Sequence, residues 1–231
     1  MRRVAVILLL GLVSLVGCGT TPTDAVDADA VSAPLAMPAP DARRFGVDAE
    51  ASRIRFIVRR AGTLARLGHN HVILARRIEG EIALAPDVSR SVVRLQLPVD
   101  GFEVDPPAER AALGEGFEPV PEQAVIGTRR NMLGPRVLDA SRHGTVRIDT
   151  VAVAGEGEAL RMTLRIRLRE VSRDIAVPVT WRLERDVLSA NADFEIRQSN
   201  LGITPLSVLG GALQVDDVVP VQLRIVARAV R

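Results

Sequence analysis

From Phe45 onward, apolar and polar residues alternate with a period of two, the pattern of strands with one face on a core and the other in water. The alternation is strictest in Arg161-Met162-Thr163-Leu164-Arg165-Ile166-Arg167-Leu168-Arg169. It repeats from Ile175 to Glu184, with Ile175, Val177, Val179, Trp181 and Leu183 on the apolar face, after a polar break at Ser172-Arg173-Asp174. The two segments are therefore expected to form an antiparallel hairpin. Weaker alternation at Ile54 to Val58, Ile78 to Leu84, Val93 to Val99, Val146 to Val153, Ala192 to Ile196 and Val221 to Ala227 brings the expectation to about eight strands. One stretch reads as a helix: it begins at Pro121-Glu122-Gln123, with proline and an acid in the first turn, and fades near Gly134. An all-β fold follows, an eight-stranded antiparallel barrel with one inserted helix, because closure removes exposed strand edges. A sandwich is the alternative architecture.

The N-terminus breaks this pattern. Met1-Arg2-Arg3 precedes an apolar run from Val4 to Val16, then Gly17 and Cys18. The run is too short for a spanning helix, which needs about 20 apolar residues, and it has the order of a cleaved export signal. Leu15-Val16-Gly17-Cys18 resembles the bacterial lipobox, which implies that Cys18 is acylated and becomes the mature N-terminus. Residues 1–17 are thus expected to be a lipoprotein signal peptide. Residues 18–44 are the acylated cysteine and a tether, rich in Pro, Ala and Asp and without strand or helix periodicity. Residues 45–231 are the barrel domain. By the same resemblance to bacterial lipoproteins, Gly19 in place of Asp implies sorting to the outer membrane, facing the periplasm, with the membrane as a partner through the acyl chains of Cys18.

Composition narrows the function classes. The formal charge of +2 includes Arg2 and Arg3, so processing brings it to zero, and the mature chain has no nucleic-acid footprint. All 30 basic residues are Arg, which we read as base composition, since most occupy strand positions where any long solvated side chain would serve. Aromatic residues are 3% of the chain, too few to stack nucleic-acid bases. Cys18 is the only cysteine, so the domain relies on its core and not on disulfides.

The densest chemistry is Leu67-Gly68-His69-Asn70-His71, which holds two of the three histidines and leads into Val72-Ile73-Leu74. On a strand, His69 and His71 would share a face. They can be structural, contact a ligand head group, or ligate a metal such as zinc with His143 or Asp139 as a further ligand. No Gly-x-Ser-x-Gly elbow is present and the one thiol is committed to the anchor, which disfavours nucleophilic catalysis, and the chain is read as a non-enzyme, although Ser, His and Asp side chains can still meet in space. Glu79 and Glu81, at alternate strand positions, and Asp216 and Asp217, in a turn, are read as solvated surface. An eight-stranded barrel either fills with its own side chains or holds one small ligand. Phe56, Met162, Leu164, Ile166, Leu168, Trp181 and Phe194 are the residues expected to line it.

The ordered fragments along residues 45–231 resemble the lipid- or polyisoprenoid-binding YceI-like family. They are Ala51-Ser52-Arg53-Ile54-Arg55-Phe56, Gly68-His69-Asn70-His71, Gly80-Glu81-Ile82, Arg130-Asn131-Met132, Val137-Leu138-Asp139-Ala140, Val171-Ser172-Arg173-Asp174-Ile175, Leu201-Gly202-Ile203-Thr204-Pro205, Gly210-Gly211-Ala212-Leu213 and Val215-Asp216-Asp217-Val218. The chain departs from many members in having Ala51-Ser52 for a His-Ser pair and His143-Gly144 for Tyr-Pro. The resemblance implies a lipocalin-like barrel enclosing an apolar isoprenoid-type lipid as carrier or sensor, with no required cofactor and no catalytic residues. On this reading the ligand contacts are His69, His71, Phe56, Met162, Leu164, Ile166, Trp181 and Phe194. The alternatives are a metal-binding protein or metal-dependent enzyme built on His69, His71 and His143, and a solid-core interaction module whose protein partners the sequence does not name.

Overall fold

A computed structural model describes residues 33–230. The signal segment 1–17, Cys18 and the tether up to residue 32 lie outside the described residues, so the lipidation site stays an expectation.

The described chain is built from fourteen strands and two α-helices. The strands are Arg43–Val47 (β1), Arg53–Val58 (β2), Arg60–Ala61 (β3), His71–Ala75 (β4), Glu79–Leu84 (β5), Val92–Pro98 (β6) and Phe102–Val104 (β7), then Thr145–Glu156 (β8), Ala159–Leu168 (β9), Val171–Glu184 (β10), Val187–Arg197 (β11), Ser207–Val208 (β12), Leu213–Val215 (β13) and Val218–Ala229 (β14). The helices, Pro107–Leu113 (α1) and Glu122–Leu133 (α2), both lie between β7 and β8. The expected helix is α2; the shorter α1 precedes it.

Eight strands close into an antiparallel ring in the order β1-β5-β6-β8-β9-β10-β11-β14, sealed by β14 pairing with β1. The ring includes β1 in place of the expected Ile54 to Val58 strand. That segment, β2, pairs instead with the first half of β14, through Val221 to Arg224, and carries β4 and β7 outward as a flap. The wall of the barrel therefore forks along β14. A separate small sheet, β12-β13-β3, stands beside the fork.

Alternation becomes burial along β9, where Met162, Leu164, Ile166 and Leu168 are all buried. β10 pairs with it over its first ten residues, from Val171 opposite Leu168 to Thr180 opposite Ala159. The turn of this hairpin falls at Arg169-Glu170 and not at Ser172-Arg173-Asp174, because Asp174 sits across from Arg165 on the outer face and makes a two-pronged ion pair with it at 2.6 and 2.7 Å. Arg165 is consequently buried, unlike the solvated arginine that its alternate position implies.

A second reason for its burial is the segment before β1. Residues 33–39 lie on the outside of the wall: Arg165 donates to the carbonyl of Ala33 at 2.9 Å, and the Ala36 N–H donates to the carbonyl of Thr150 at 3.0 Å. A register shift between Thr150 and Ala152 interrupts the β8–β9 ladder there. Bulges of this kind leave backbone groups available to other partners. Ala39 is buried, so the last part of the expected tether is a strap on the barrel.

One main core cluster runs through the ring and under the flap, from Phe45, Ile82 and Leu97 to Ile54, Ile73 and Phe102. A smaller one, of Met162, Leu164, Val177, Val179 and Ala192, occupies the end nearer the β8–β9 and β10–β11 turns. Each fully buried Leu, Ile or Phe contributes about 1.5–3 kcal/mol, and such residues, without any disulfide, hold the domain together.

Candidate functional site

The end of the barrel opposite the β8–β9 and β10–β11 turns opens into a cavity of about 250 Å³. Its walls come from three places: β2 and β4 of the flap, helix α2, and the small sheet with the loop that leads into it. Val58, Ile73, Met132, Val137, Leu206 and Leu213 supply most of an apolar lining, while Arg59, Arg60, His69, His71, Thr128 and Gln214 supply its polar part.

His71 begins β4 opposite Val58, on the same face of the flap as Ile73 and Phe56. His69 lies before the strand and is exposed, so the two histidines do not share a strand face as expected. They still meet, edge to face, with ring centroids 6.3 Å apart. Asn70 between them pins the run. Its side chain accepts from the Arg60 N–H at 3.1 Å and donates to the Gly116 carbonyl at 2.9 Å, and Arg60 in turn donates to the Gly68 carbonyl at 2.6 Å.

Behind His71 is a buried charge network that sequence reasoning missed. Nδ1 of His71 lies 2.5 Å from Oδ2 of Asp105. The other oxygen, Oδ1, accepts from the Val72 N–H at 2.9 Å and from Arg110 at 2.6 Å. Arg110 also donates to the carbonyls of Asn70 and Glu118 and stacks on Phe117. Burial is the largest single influence on Asp105 and pushes its carboxyl upward. The hydrogen bond to His71, the Val72 N–H, the charge of His71 and the Arg110 hydrogen bond together outweigh it and hold the group below the ordinary carboxylate range. An ionised Asp105 can only accept, so it fixes the proton of the imidazole on Nδ1 and leaves Nε2 facing the Thr128 hydroxyl, 3.2 Å away on α2. His71 is thereby held as a rigid polar group at the edge of an apolar cavity.

Asp105 has a positive φ of 54°, which aspartate adopts more readily than most residues. The signal for it was local: an acid directly before Pro106-Pro107, with an arginine five residues on. Nothing in Thr128 marked it beyond its place on the expected helix.

Of the residues expected to contact ligand, His69 and His71 line the cavity. Phe56 packs against Phe102, with ring centroids 5.8 Å apart. Ile166 belongs to the main core, Met162 and Leu164 to the smaller one, and Phe194 packs against both. Trp181 is at the far end, where its indole N–H donates to the Gly157 carbonyl at 2.8 Å. The structure thus brings the two histidines to the cavity, buries Met162, Leu164 and Ile166 in the core and leaves Phe56, Trp181 and Phe194 partly buried against it. His143 lies near Glu170, at 3.9 Å, and outside the cavity lining. Among the described residues, no three His, Cys, Asp or Glu side chains come together as a metal site, so the three-histidine arrangement of the metal-binding alternative does not form.

Solved structures share this architecture. Burkholderia cenocepacia BcnA superposes with a TM-score of 0.58 at 12% identity, over 78% of this chain and 98% of the other. A polyisoprenoid binding domain from Saccharophagus degradans, implicated in plant cell wall breakdown, gives 0.54 at 12%, over 85% and 100%. The Campylobacter jejuni YCEI protein gives 0.50 at 10%, over 69% and 84%. At these identities the likeness establishes the fold. Among curated proteins no sequence matches. Residues 45–227, nearly the whole barrel with its flap and helices, match the model of the YceI-like domain, and the chain belongs to that family.

Proposed function

We propose that this protein is a cell-envelope lipoprotein, anchored through acylated Cys18, that binds an apolar isoprenoid-type lipid at the open end of its barrel and serves as a carrier or sensor of it. The carrying observation is the cavity: an apolar lining that continues into the barrel core through Ile73 and Val58, with a polar group, His71, fixed at its edge. That is the layout an amphiphile requires, since apolar walls take up the chain and a few placed polar groups orient the head. The likeness to the Saccharophagus degradans polyisoprenoid binding domain supports the same reading. A cavity of about 250 Å³ receives the first part of such a chain. A longer chain must displace side chains of the main core, among them Phe56 and Ile166, which the sequence also marks as ligand contacts.

Native mass spectrometry of full-length protein purified from its own envelope tests this. The expected result is a lipid adduct that Leu213→Glu, which sets a charge in the cavity lining, greatly reduces while the circular dichroism spectrum is retained. Empty wild-type protein that also fails to take up an added polyprenyl lipid would overturn the proposal.

A further inference from the structure

We infer that the cavity-bearing end of the barrel is a membrane-docking face, which seats on an anionic bilayer through Leu67, Val208 and Leu209 with Arg59 and Arg66 beside them. This goes beyond ligand binding and holds whether or not the cavity is occupied.

Three observations carry it. The first is the exposure of large apolar side chains around the cavity. Leu67 is 61% exposed, Val208 54% and Leu209 66%. Leu67 adjoins Gly68, and Val208 with Gly68 lines the cavity itself. Leu209 projects at the tip of the connection between β12 and β13 with a φ of 53°, a left-handed conformation that is uncommon for a bulky residue. Such strain at an exposed leucine suits a residue displayed for contact with something other than its own fold.

The second is charge. Segments 59–72 and 206–215 hold three arginines and no carboxylate. Arg60 is engaged with Gly68, but the guanidinium groups of Arg59 and Arg66 have no partner among the described residues. Nearby acids are satisfied locally: Asp216 accepts from the Val218 N–H, and Asp217 from the N–H and hydroxyl of Ser199. The turns of the opposite end, at 156–158 and 184–186, carry four carboxylates and one arginine, with Asp186 paired to Arg43 and both Glu158 and Glu184 near Arg182, so that end holds no unpartnered excess of cations. An anionic surface attracts the first end and not the second.

The third is where the chain enters. The strap of residues 33–39 reaches Arg165, in the half of β9 nearer the cavity, as the Arg169 contact with the Val137 carbonyl of the cavity wall confirms for that end. Ala33, the first described residue, therefore sits on the cavity half of the wall.

Hydrogen–deuterium exchange on the full-length protein, reconstituted in vesicles of phosphatidylcholine alone or with phosphatidylglycerol added, tests the inference. Segments 64–69 and 206–213 are expected to exchange more slowly on the anionic vesicles, with the turns at 156–159 and 184–187 unchanged. Each cation at such a surface is worth roughly fivefold in affinity, so Arg59→Gln with Arg66→Gln should remove most of the difference, and Leu209→Ser should weaken it. Equal exchange on both vesicles overturns the inference. So does slowing at the opposite end, or slowing that follows protein density on the vesicle and so reports a second copy of the chain.

Discussion

Asp105 and Arg110 are buried against each other, with a guanidinium nitrogen 2.6 Å from Oδ1 and side-chain exposures of 0% and 6%. The same carboxylate holds His71 through its other oxygen, so a single acid couples the start of β4, the helix α1 and the edge of the cavity.

Removing the charge of Asp105 leaves Arg110 buried without a counter-ion. Asp105→Asn should cost about 3–5 kcal/mol of stability, the range for a broken buried pair. Replacing both partners with apolar residues should cost less than that single change, because no charge is stranded. Urea unfolding of the two variants beside wild type measures this, and a loss below about 1 kcal/mol for Asp105→Asn would contradict the network.

The carboxyl of Asp105 is held below its ordinary value in the folded protein. A group lowered in this way stabilises the fold fully above its unfolded pKa, about 3.9, and the contribution disappears as pH falls through the folded value. Wild-type stability should therefore decline below about pH 4, and Asp105→Asn should show a shallower decline in that window. Urea midpoints taken between pH 2 and pH 6, roughly spanning both states, provide the comparison.

The strap depends on backbone contacts. Ala36→Pro deletes the N–H that meets the Thr150 carbonyl and should cost about 0.5–1.5 kcal/mol. Limited proteolysis should then cut within 33–39 faster than in wild type, with the barrel core intact. Unchanged cleavage would mean that the strap is held by Ala39 and Arg165 alone.

Gly62 lies at φ +91°, and a Cβ there would come within 2.5 Å of the Ala212 carbonyl. Gly62→Ala should push β12 and β13 away from β3 and open one wall of the cavity. The expected readout is faster hydrogen exchange across 206–215 with little change in β9 and β10. A uniform loss of protection would indicate a global effect instead.

Period-two alternation was enough to reveal an all-β barrel and most of its strands, because inward and outward positions along a strand such as β9 are set by the geometry of the chain itself. The expected helix appeared for the same local reason, a proline and an acid at its start. Local pattern also brought out the Gly-His-Asn-His run. It did not reveal that β1 closes the ring while β2 leaves it, since both segments alternate alike and the choice rests on which stretch of the same edge of β14 each finds. Nor did it find Asp105, Arg110 and Thr128 around His71. Their meeting is decided by the crossing of β4, the turn after β7 and two helices, and by the need to satisfy a buried charge, which no spacing along the chain expresses. The burial of Arg165 has the same origin: alternation assigns it to water, and the strap with Asp174 takes it out. Sequence thus set which side chains face inward along each strand, while tertiary structure decided which polar groups share a buried neighbourhood, because desolvation and ion pairing act between segments that are distant in the chain.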